Sequence, residues 1–210
     1  VTPAPTDMCL EVSNLIAHNH RLLTSKNYEV YLAPAAKIPT LLHEIGRLRE
    51  ITFREIGEGT NKAIDLDVFD GYYHHMFLWD AEAHCLAGAY RMGLGNEIFK
   101  AKGIDGFYLQ DLFRFEPELH SMMSQSIELG RAFIIKSYQQ KPMPLFLLWK
   151  GIVHTTLRFP EHQYLIGGVS ISNQFSNFSK SLMIEFMKSH YYDPYLAQYI
   201  QPKKAFKVKL

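Results

Sequence analysis

The chain has 210 residues, 47% hydrophobic and 20% charged, with a formal net charge of +1; such a chain buries a sizeable core. Its 14 Phe, 12 Tyr and 2 Trp exclude disorder of the whole chain, and the balanced charge excludes bulk nucleic-acid binding as a principal role. The two cysteines, Cys9 and Cys85, form neither a disulfide framework nor a zinc ribbon, so reduced thiols in a cytoplasmic protein are expected.

Residues 6–23 read as a helix, capped by Thr6 or Asp7, with Leu10, Val12, Leu15, Ile16, Leu22 and Leu23 at its apolar positions. NYEVYLAPA alternates and runs into a proline, which predicts a strand over 28–32. From 38 to 56, Leu41, Leu42, Ile45 and Leu48 recur at spacings of three and four, an amphipathic helix stopped by GEG. AIDLDVFDGYY is a polar-punctuated loop. YHHMFLW and CLAGAYRMG are two strands joined through DAEAH as a hairpin. Residues 94–125 hold short mixed elements, and QSIELGRAFII is a strand. PLFLLWKGIVHTTLRF is an apolar helix that starts just after Pro142 and Pro144. QYLIGGVSIS is a further strand and SNFSKSLMIEFMKSHYY a further helix. Strands alternating with helices argue an α/β architecture. The expected organisation is a helical extension over 1–27, one main domain over 28–195, and a basic tail over 196–210. The start at Val1 and the ending PKKAFKVKL suggest a piece of a longer polypeptide. No apolar run reaches the ~18 residues of a membrane-spanning helix, and no signal peptide opens the chain.

The strand IELGRAFI carries Glu128 and Arg131, although charged side chains are almost never fully buried without a partner. Alternation would put Glu128, Gly130, Ala132 and Ile134 on one face, and Leu129, Arg131, Phe133 and Ile135 on the other. The small residues after Glu128 would leave a hollow beside its carboxylate, open to close approach by a ligand. The polar loop that follows leads to a helix N-terminus, a ready site for phosphate.

Several segments resemble one family. LREITFREIGEG resembles the LR-x-x-x-F-x-E-x-G segment of acyl-homoserine-lactone synthases and of the bacterial ornithine-lipid and glycine-lipid N-acyltransferases, often labelled hemolysin-like. IDLDVFD is similar to their acidic D-x-x-D/F-D loop, and AGAYRM to their V-G-x-x-R-L strand. ELGRAFI is similar to their E-L-G-R-x-x-V strand, and LLWKGI to their L-L-W-x-G-I helix. The segments follow the family's order over most of the chain. The resemblance implies a GNAT fold: a mixed, twisted central sheet with helices on both faces. The glycine-rich loop usual in that superfamily, Q/R-x-x-G-x-G/A, is missing; QQK and prolines stand in its place.

The same resemblance implies an N-acyltransferase of bacterial aminolipid synthesis. It would move a (3-hydroxy)fatty acyl group from an acyl carrier protein or coenzyme A thioester to the α-amine of glycine or ornithine, with no tightly bound cofactor. It marks Arg49, Phe53, Asp67, Asp70, Arg91, Glu128 and Arg131 as a charged network lining the acyl and amine pocket. An amine attacks a thioester only when deprotonated. Glu128 is the expected base, with Arg131 and Asp70 completing the catalytic group. Backbone N–H groups near Gly130, Ala132 and Phe133 are the expected oxyanion donors. Arg49, Arg91 or Arg131 would clamp the amino acid's carboxylate, and Asp67 and Asp70 would hold those arginines or bind the ammonium. The pantetheine phosphate is expected at the helix start, near Lys141, Met143, Leu145, Phe146 and Leu147, with its arm between two strands parted at IGGVSI. Phe107, Phe113, Phe146, Leu147 and Trp149 would line the acyl chain. Expected partners are an acyl carrier protein, an amino-acid acceptor and a membrane surface at the inner face, with no nucleic acid. Two rival readings are a non-catalytic acyl-carrier or lipid-binding module of a larger protein and a lactone-synthase-like enzyme. The latter needs S-adenosylmethionine, which no feature here demands. DLDVFDG lacks the terminal Glu of a calcium loop, since Met76 stands there. His74 and His75, as strand neighbours, point to opposite faces and share no metal easily.

Overall fold

The computed structural model describes residues 2–207. Its main sheet contains β1 (Arg21–Ser25), β2 (Tyr28–Pro34), β3 (His74–Asp80), β4 (Cys85–Leu94), β6 (Ser126–Ile134) and β7 (Tyr164–Ile166), in the order β1-β2-β3-β4-β6-β7. Neighbours are antiparallel except β6 and β7, which run parallel. A small second sheet pairs β5 (Phe113–Phe115) with β8 (Ile200–Pro202). The expected α/β architecture, with a mixed sheet between helices, is what the chain forms.

The central strands are buried on both faces, which is why β3 reads as the nearly unbroken apolar run MFLW. Tyr31, Phe77, Trp79, Ala89 and Phe133 pack on one face with residues of α1 (Pro5–Ala17) and α2 (Pro39–Glu55). On the other face Val30, Leu32, Met76, Leu78 and Ile127 meet Leu147 and Leu148 of α7 (Pro142–Arg158). Gly151 lets α7 come close: a Cβ there would stand 2.7 Å from the Met76 sulfur and 2.9 Å from Val30 Cγ1. A third cluster, including Phe69, Tyr73, Ile98, Phe107 and Met123, lies under α3 (Gly95–Lys102), α4 (Leu109–Leu112) and α5 (His120–Ser124). The single turn α6 (Lys136–Gln139) precedes α7. Helices α8 (Asn177–Tyr191) and α9 (Pro194–Ala197) follow β7 and precede β8. Among the described residues no helix is long and apolar enough to cross a membrane.

Four expectations differ from this fold. The first helix ends at Ala17 rather than at 23, because Asn19 adopts a left-handed φ of 59° and the His20 N–H turns back to the Leu15 carbonyl. Leu22 and Leu23 then belong to β1, which folds onto β2 through Lys26, also left-handed at 54°. The segment 1–27 is therefore continuous with the sheet. Of the tail over 196–210, residues 200–202 form β8, while 208–210 lie outside the described residues.

The strand expected at QYLIGGVSIS is only three residues long. Its glycines leave the sheet, and a Cβ on Gly167 would lie 2.6 Å from the Leu129 carbonyl oxygen. Strand β6 is thus paired with β7 only over Ser126, Ile127 and Glu128. Of the residues expected along the acyl chain, none lines either of the two hollows described below. Phe107 is fully buried in the third cluster, Leu147 packs on the sheet, and Phe146 and Trp149 point outward at 57% and 59% exposure. Helix α7 turns Leu147, Leu148, Gly151 and Thr155 inward, so residues a step off that stripe face away.

The fourth difference is in β6. Ala89 stands opposite Phe133 and Arg91 opposite Gly130, so Tyr90 faces two residues, Arg131 and Ala132. This is a bulge, and Arg131 sits in it with a left-handed φ of 51°. The alternation of faces resets there. Leu129 packs with α7, whereas Phe133 packs with α1 and α2. Arg131, expected opposite Glu128, shares its side of the sheet.

Candidate active site

The site starts on α2. Leu41, Ile45 and Arg49 follow one another at four-residue spacing on its buried stripe, so a cation occupies a core position, 1% exposed. Each of its three guanidinium nitrogens has a partner. Nε donates to Asp65 Oδ2 at 3.0 Å, Nη1 and Nη2 donate to the two Asp70 oxygens at 3.1 and 2.8 Å, and Nη2 also donates to the Asp65 carbonyl. The loop that brings these aspartates is itself anchored to α2. Glu50 accepts from the Thr60 N–H and hydroxyl and from the Asn61 N–H.

The D-x-x-D spacing has a local cause. Asp67 caps a 3-10 turn over Val68–Gly71, accepting from the Phe69 and Asp70 N–H groups, and Asp70 accepts from the Asp67 N–H in return. From β4, Arg91 Nη1 donates to Asp67 Oδ1 at 2.7 Å and lies 3.3 Å from Asp70 Oδ2. The rest of its guanidinium lies against the rings of Phe69, Tyr73 and Tyr108, 5.0 to 5.5 Å from their centroids. Its Nε and Nη2 have no hydrogen-bond partner among the described residues. Burial alone would push the Asp70 carboxyl up. The Arg49 hydrogen bonds and the charges of Arg49 and Arg91 outweigh it and hold Asp70 well below the usual carboxylate range. Beneath, the buried His75 donates from Nε2 to the Asp70 carbonyl at 2.9 Å, and burial lowers its imidazole to about 4.

Strand β6 supplies the other half. Glu128 Oε2 accepts from the Tyr73 hydroxyl and from the Tyr108 N–H at 3.1 Å, and Oε1 accepts from the Leu109 N–H at 2.8 Å. Burial raises the carboxyl above its ordinary value, against the pull of these hydrogen bonds and of the Arg91 charge. Arg131 reaches from the bulge toward the acid loop, its Nη1 3.6 Å from Asp65 Oδ2 and its Nη2 3.7 Å from Asp67 Oδ2. The Tyr108 ring lies beside it too, 5.6 Å away.

The expected charged residues Arg49, Asp67, Asp70, Arg91, Glu128 and Arg131 are therefore one connected cluster. Phe53, Ala132 and Phe133 lie elsewhere, lining an apolar hollow of about 270 Å³ with Ile56, Tyr90, Leu145 and Leu148. A second hollow, about 420 Å³, borders it through Thr52 and runs between α2 and Ile135, Lys136 and Ser137. Gly130 separates the cluster from the apolar trough, and a Cβ built on it would meet nothing within 4 Å.

Of the residues expected around pantetheine, only Leu145 lines the hollow. Met143 is half-buried, and Lys141 Nζ sits over the Tyr138 ring at 4.1 Å. Pro142 and Pro144 remove two of the first N–H donors of α7, which weakens that end as a phosphate cradle. Asp65, Tyr73 and Tyr108 escaped the sequence reading. Asp65 belongs to the same acidic run, but the tyrosines meet Glu128 across 55 and 20 residues of chain, and no local pattern marks them.

Comparison with known proteins agrees with this fold. Residues 48–149 match the family model described as the acetyltransferase (GNAT) domain. About half of the chain is thus similar to the GNAT class of transferase domains. The chain is also similar to two proteins named glycine N(alpha)-acyltransferase. One is from Bacteroides thetaiotaomicron and one from Phocaeicola vulgatus, each 30% identical over 184 residues and 82% of this chain. The matched region spans 55% and 56% of those relatives, so the chain covers about half their length. Among solved structures, the AHL synthase LasI aligns with a TM-score of 0.47 at 13% identity, over 67% of this chain and 71% of that one.

Two stability predictions follow from the buried cluster. Arg49→Met leaves Asp65 and Asp70 buried without their main counter-charge and is expected to cost roughly 3–5 kcal/mol in urea unfolding. A loss below about 1 kcal/mol would contradict a structural role for the ion pairs. His75 has a folded value near 4 against an ordinary 6.5. Its contribution is full above pH 6.5 and is lost as pH falls toward 4, on the order of 3 kcal/mol. His74, also lowered to about 4 by burial, acts with the same sign. His75→Gln keeps a donor for the Asp70 carbonyl, so its urea midpoint should fall less between pH 7 and 4.5 than that of the wild type.

Proposed function

We propose that this domain transfers a fatty acyl group from a thioester to the α-amine of glycine, with an acyl carrier protein as the first choice of donor and coenzyme A as the second. One observation carries the reading: at the β6 bulge successive residues belong to a charged cluster and to an apolar trough. Arg131 reaches into the first, while Ala132 and Phe133 line the second. An amino acid and an acyl chain need those two environments side by side. The relatives named glycine N(alpha)-acyltransferase support the choice of acceptor. Ornithine is the second candidate, and a 3-hydroxylated chain is the preferred acyl group.

In this mechanism the thioester carbonyl lies along β6 past Glu128, where β7 has ended. Backbone N–H groups of Gly130, Ala132 and Phe133 face the charge that develops on its oxygen. The amine attacks the carbonyl carbon, the carbon–sulfur bond breaks, and the thiol of the carrier leaves. Glu128 takes the amine proton through a water or by way of the Tyr73 hydroxyl, helped by the burial that raises its basicity. Asp70 has a different task. It stays ionised and holds Arg49 and Arg91.

The test is production of N-acylglycine, measured by mass spectrometry in a bacterium expressing the wild type or Glu128→Gln. Loss of roughly 10²–10⁴-fold in the variant, with the fold retained, is expected for a general base. An unchanged rate would leave Glu128 as an anchor for Tyr108 and Leu109. No product from a folded wild type would favour the acyl-carrier or lipid-binding module. Gly130→Ala gives a complementary reading. The added methyl meets no protein atom, so stability should stay within about 1 kcal/mol of the wild type. Acylation should nevertheless fall, and a variant as active as the wild type would show that no ligand approaches β6 there.

A further inference from the structure

We infer that the acceptor is bound as a zwitterion between Arg131 and Asp67, its carboxylate on the guanidinium and its ammonium on the free oxygen of Asp67. This rests on the acyl-transfer reading above and names the part of the site that recognises the amino acid.

The three arginines are not equivalent. Arg49 has a partner on every guanidinium nitrogen and is buried. Arg91 is pinned by Nη1 and enclosed by three aromatic rings, and its side chain is 1% exposed. Arg131 alone reaches solvent, with 23% of its side chain exposed. Its two ion pairs, at 3.6 and 3.7 Å, are beyond good hydrogen-bond length, and its buried Nε has no partner among the described residues. It is also held in place, by the left-handed bulge beneath it and the Tyr108 ring beside it. A non-glycine residue in that conformation costs on the order of 1 kcal/mol or more. Here the cost yields an oriented guanidinium that forms no hydrogen bond with the described chain. Such a group is preorganised for an outside carboxylate.

The carboxylates divide in the same way. Asp65 and Asp70 side chains are 3% exposed, and Glu128 is buried under three donors. Asp67 is 28% exposed. Its Oδ1 is occupied by Arg91 and the turn N–H groups, while Oδ2 has only the distant Arg131. A zwitterion entering here exchanges one loose ion pair for two and changes no net charge. Next to Arg131, a Cβ built on Gly130 would meet nothing within 4 Å, so the strand leaves open space beside the guanidinium's own residue.

The experiment compares glycine with glycinamide, which keeps the amine and loses the carboxylate, at saturating acyl donor. In Arg131→Gln the KM for glycine should rise roughly 10- to 150-fold, the scale of a lost charged hydrogen bond, while glycinamide changes by less than about threefold. The wild-type preference for glycine therefore collapses. Asp67→Asn, which keeps a capping side chain, should weaken both amines and preserve the ratio. Equal losses for both amines in Arg131→Gln, or an unchanged preference, would overturn the inference. If the wild type acylates neither amine, the acyl-transfer reading has failed. Saturation-transfer NMR with glycine then decides the site by itself: binding that disappears in Arg131→Gln upholds it, and binding that persists or never occurs refutes it.

Discussion

The buried guanidinium of Arg49 is the interaction on which the rest of the site depends. A cation on the inner stripe of a helix is tolerable only if it is paired and hydrogen-bonded. Here Asp70, together with the carboxylate and carbonyl of Asp65, engages all three guanidinium nitrogens. That requirement fixes the acidic loop, alongside the packing of Ile64 and Leu66 close against Gly46 of α2. Once Asp65 and Asp70 are fixed, the turn between them presents Asp67, and Asp67 in turn holds Arg91 on β4. The chain of pairings runs from helix to loop to sheet without a break. It closes from the far side through His75, which supports the Asp70 carbonyl from β3.

The bulge in β6 has the complementary effect. A regular strand would have sent Glu128 and Arg131 to opposite faces and separated the polar and apolar halves of the site. One extra residue opposite Tyr90 brings both charges to the acid loop and, two residues on, sets Phe133 against α2. The early end of β7 acts with it. With only three residues of β6 covered on that side, the strand's edge is open beside the bulge, at the border of pocket and trough.

Much of this was legible in the chain and some was not, for physical reasons. Period-two and period-3.6 patterns located α2, α7 and β2, β3, β4 and β6, because each buries a face whose spacing is local information. Strand β1 was hidden because Leu22 and Leu23 also continue a helical pattern; the left-handed Asn19 decides between the two. The bulge was invisible because nothing in GRAF demands a left-handed arginine, whereas a glycine at 131 would have announced it. Among site residues, charge made the arginines and aspartates stand out. Tyr73 and Tyr108 carry no such local mark, and their hydroxyl and backbone roles arise only when distant elements meet. Phe146 and Trp149 misled in the opposite sense. Apolar identity alone does not say which side of α7 faces the sheet.

The two most buried acids at the centre illustrate how one cluster can hold two functions. Asp70 and Glu128 are both desolvated, and burial pushes both upward. Asp70 is met by two guanidinium charges, which more than reverse the effect. Glu128 is met chiefly by neutral donors, a phenol and two peptide N–H groups, with Arg91 a smaller influence, and these do not reverse it. Neutral dipoles stabilise an anion less than full charges do at the same range. The environments therefore drive the two carboxyls apart, one fixed as a permanent anion and the other left able to accept a proton. The tyrosine follows the same logic. Burial and the adjacent anion push the Tyr73 phenol upward, so it keeps its proton and remains a donor to Glu128. The acyl transfer proposed above would use both kinds of carboxylate, and the fold separates them by the charge of their partners rather than by depth.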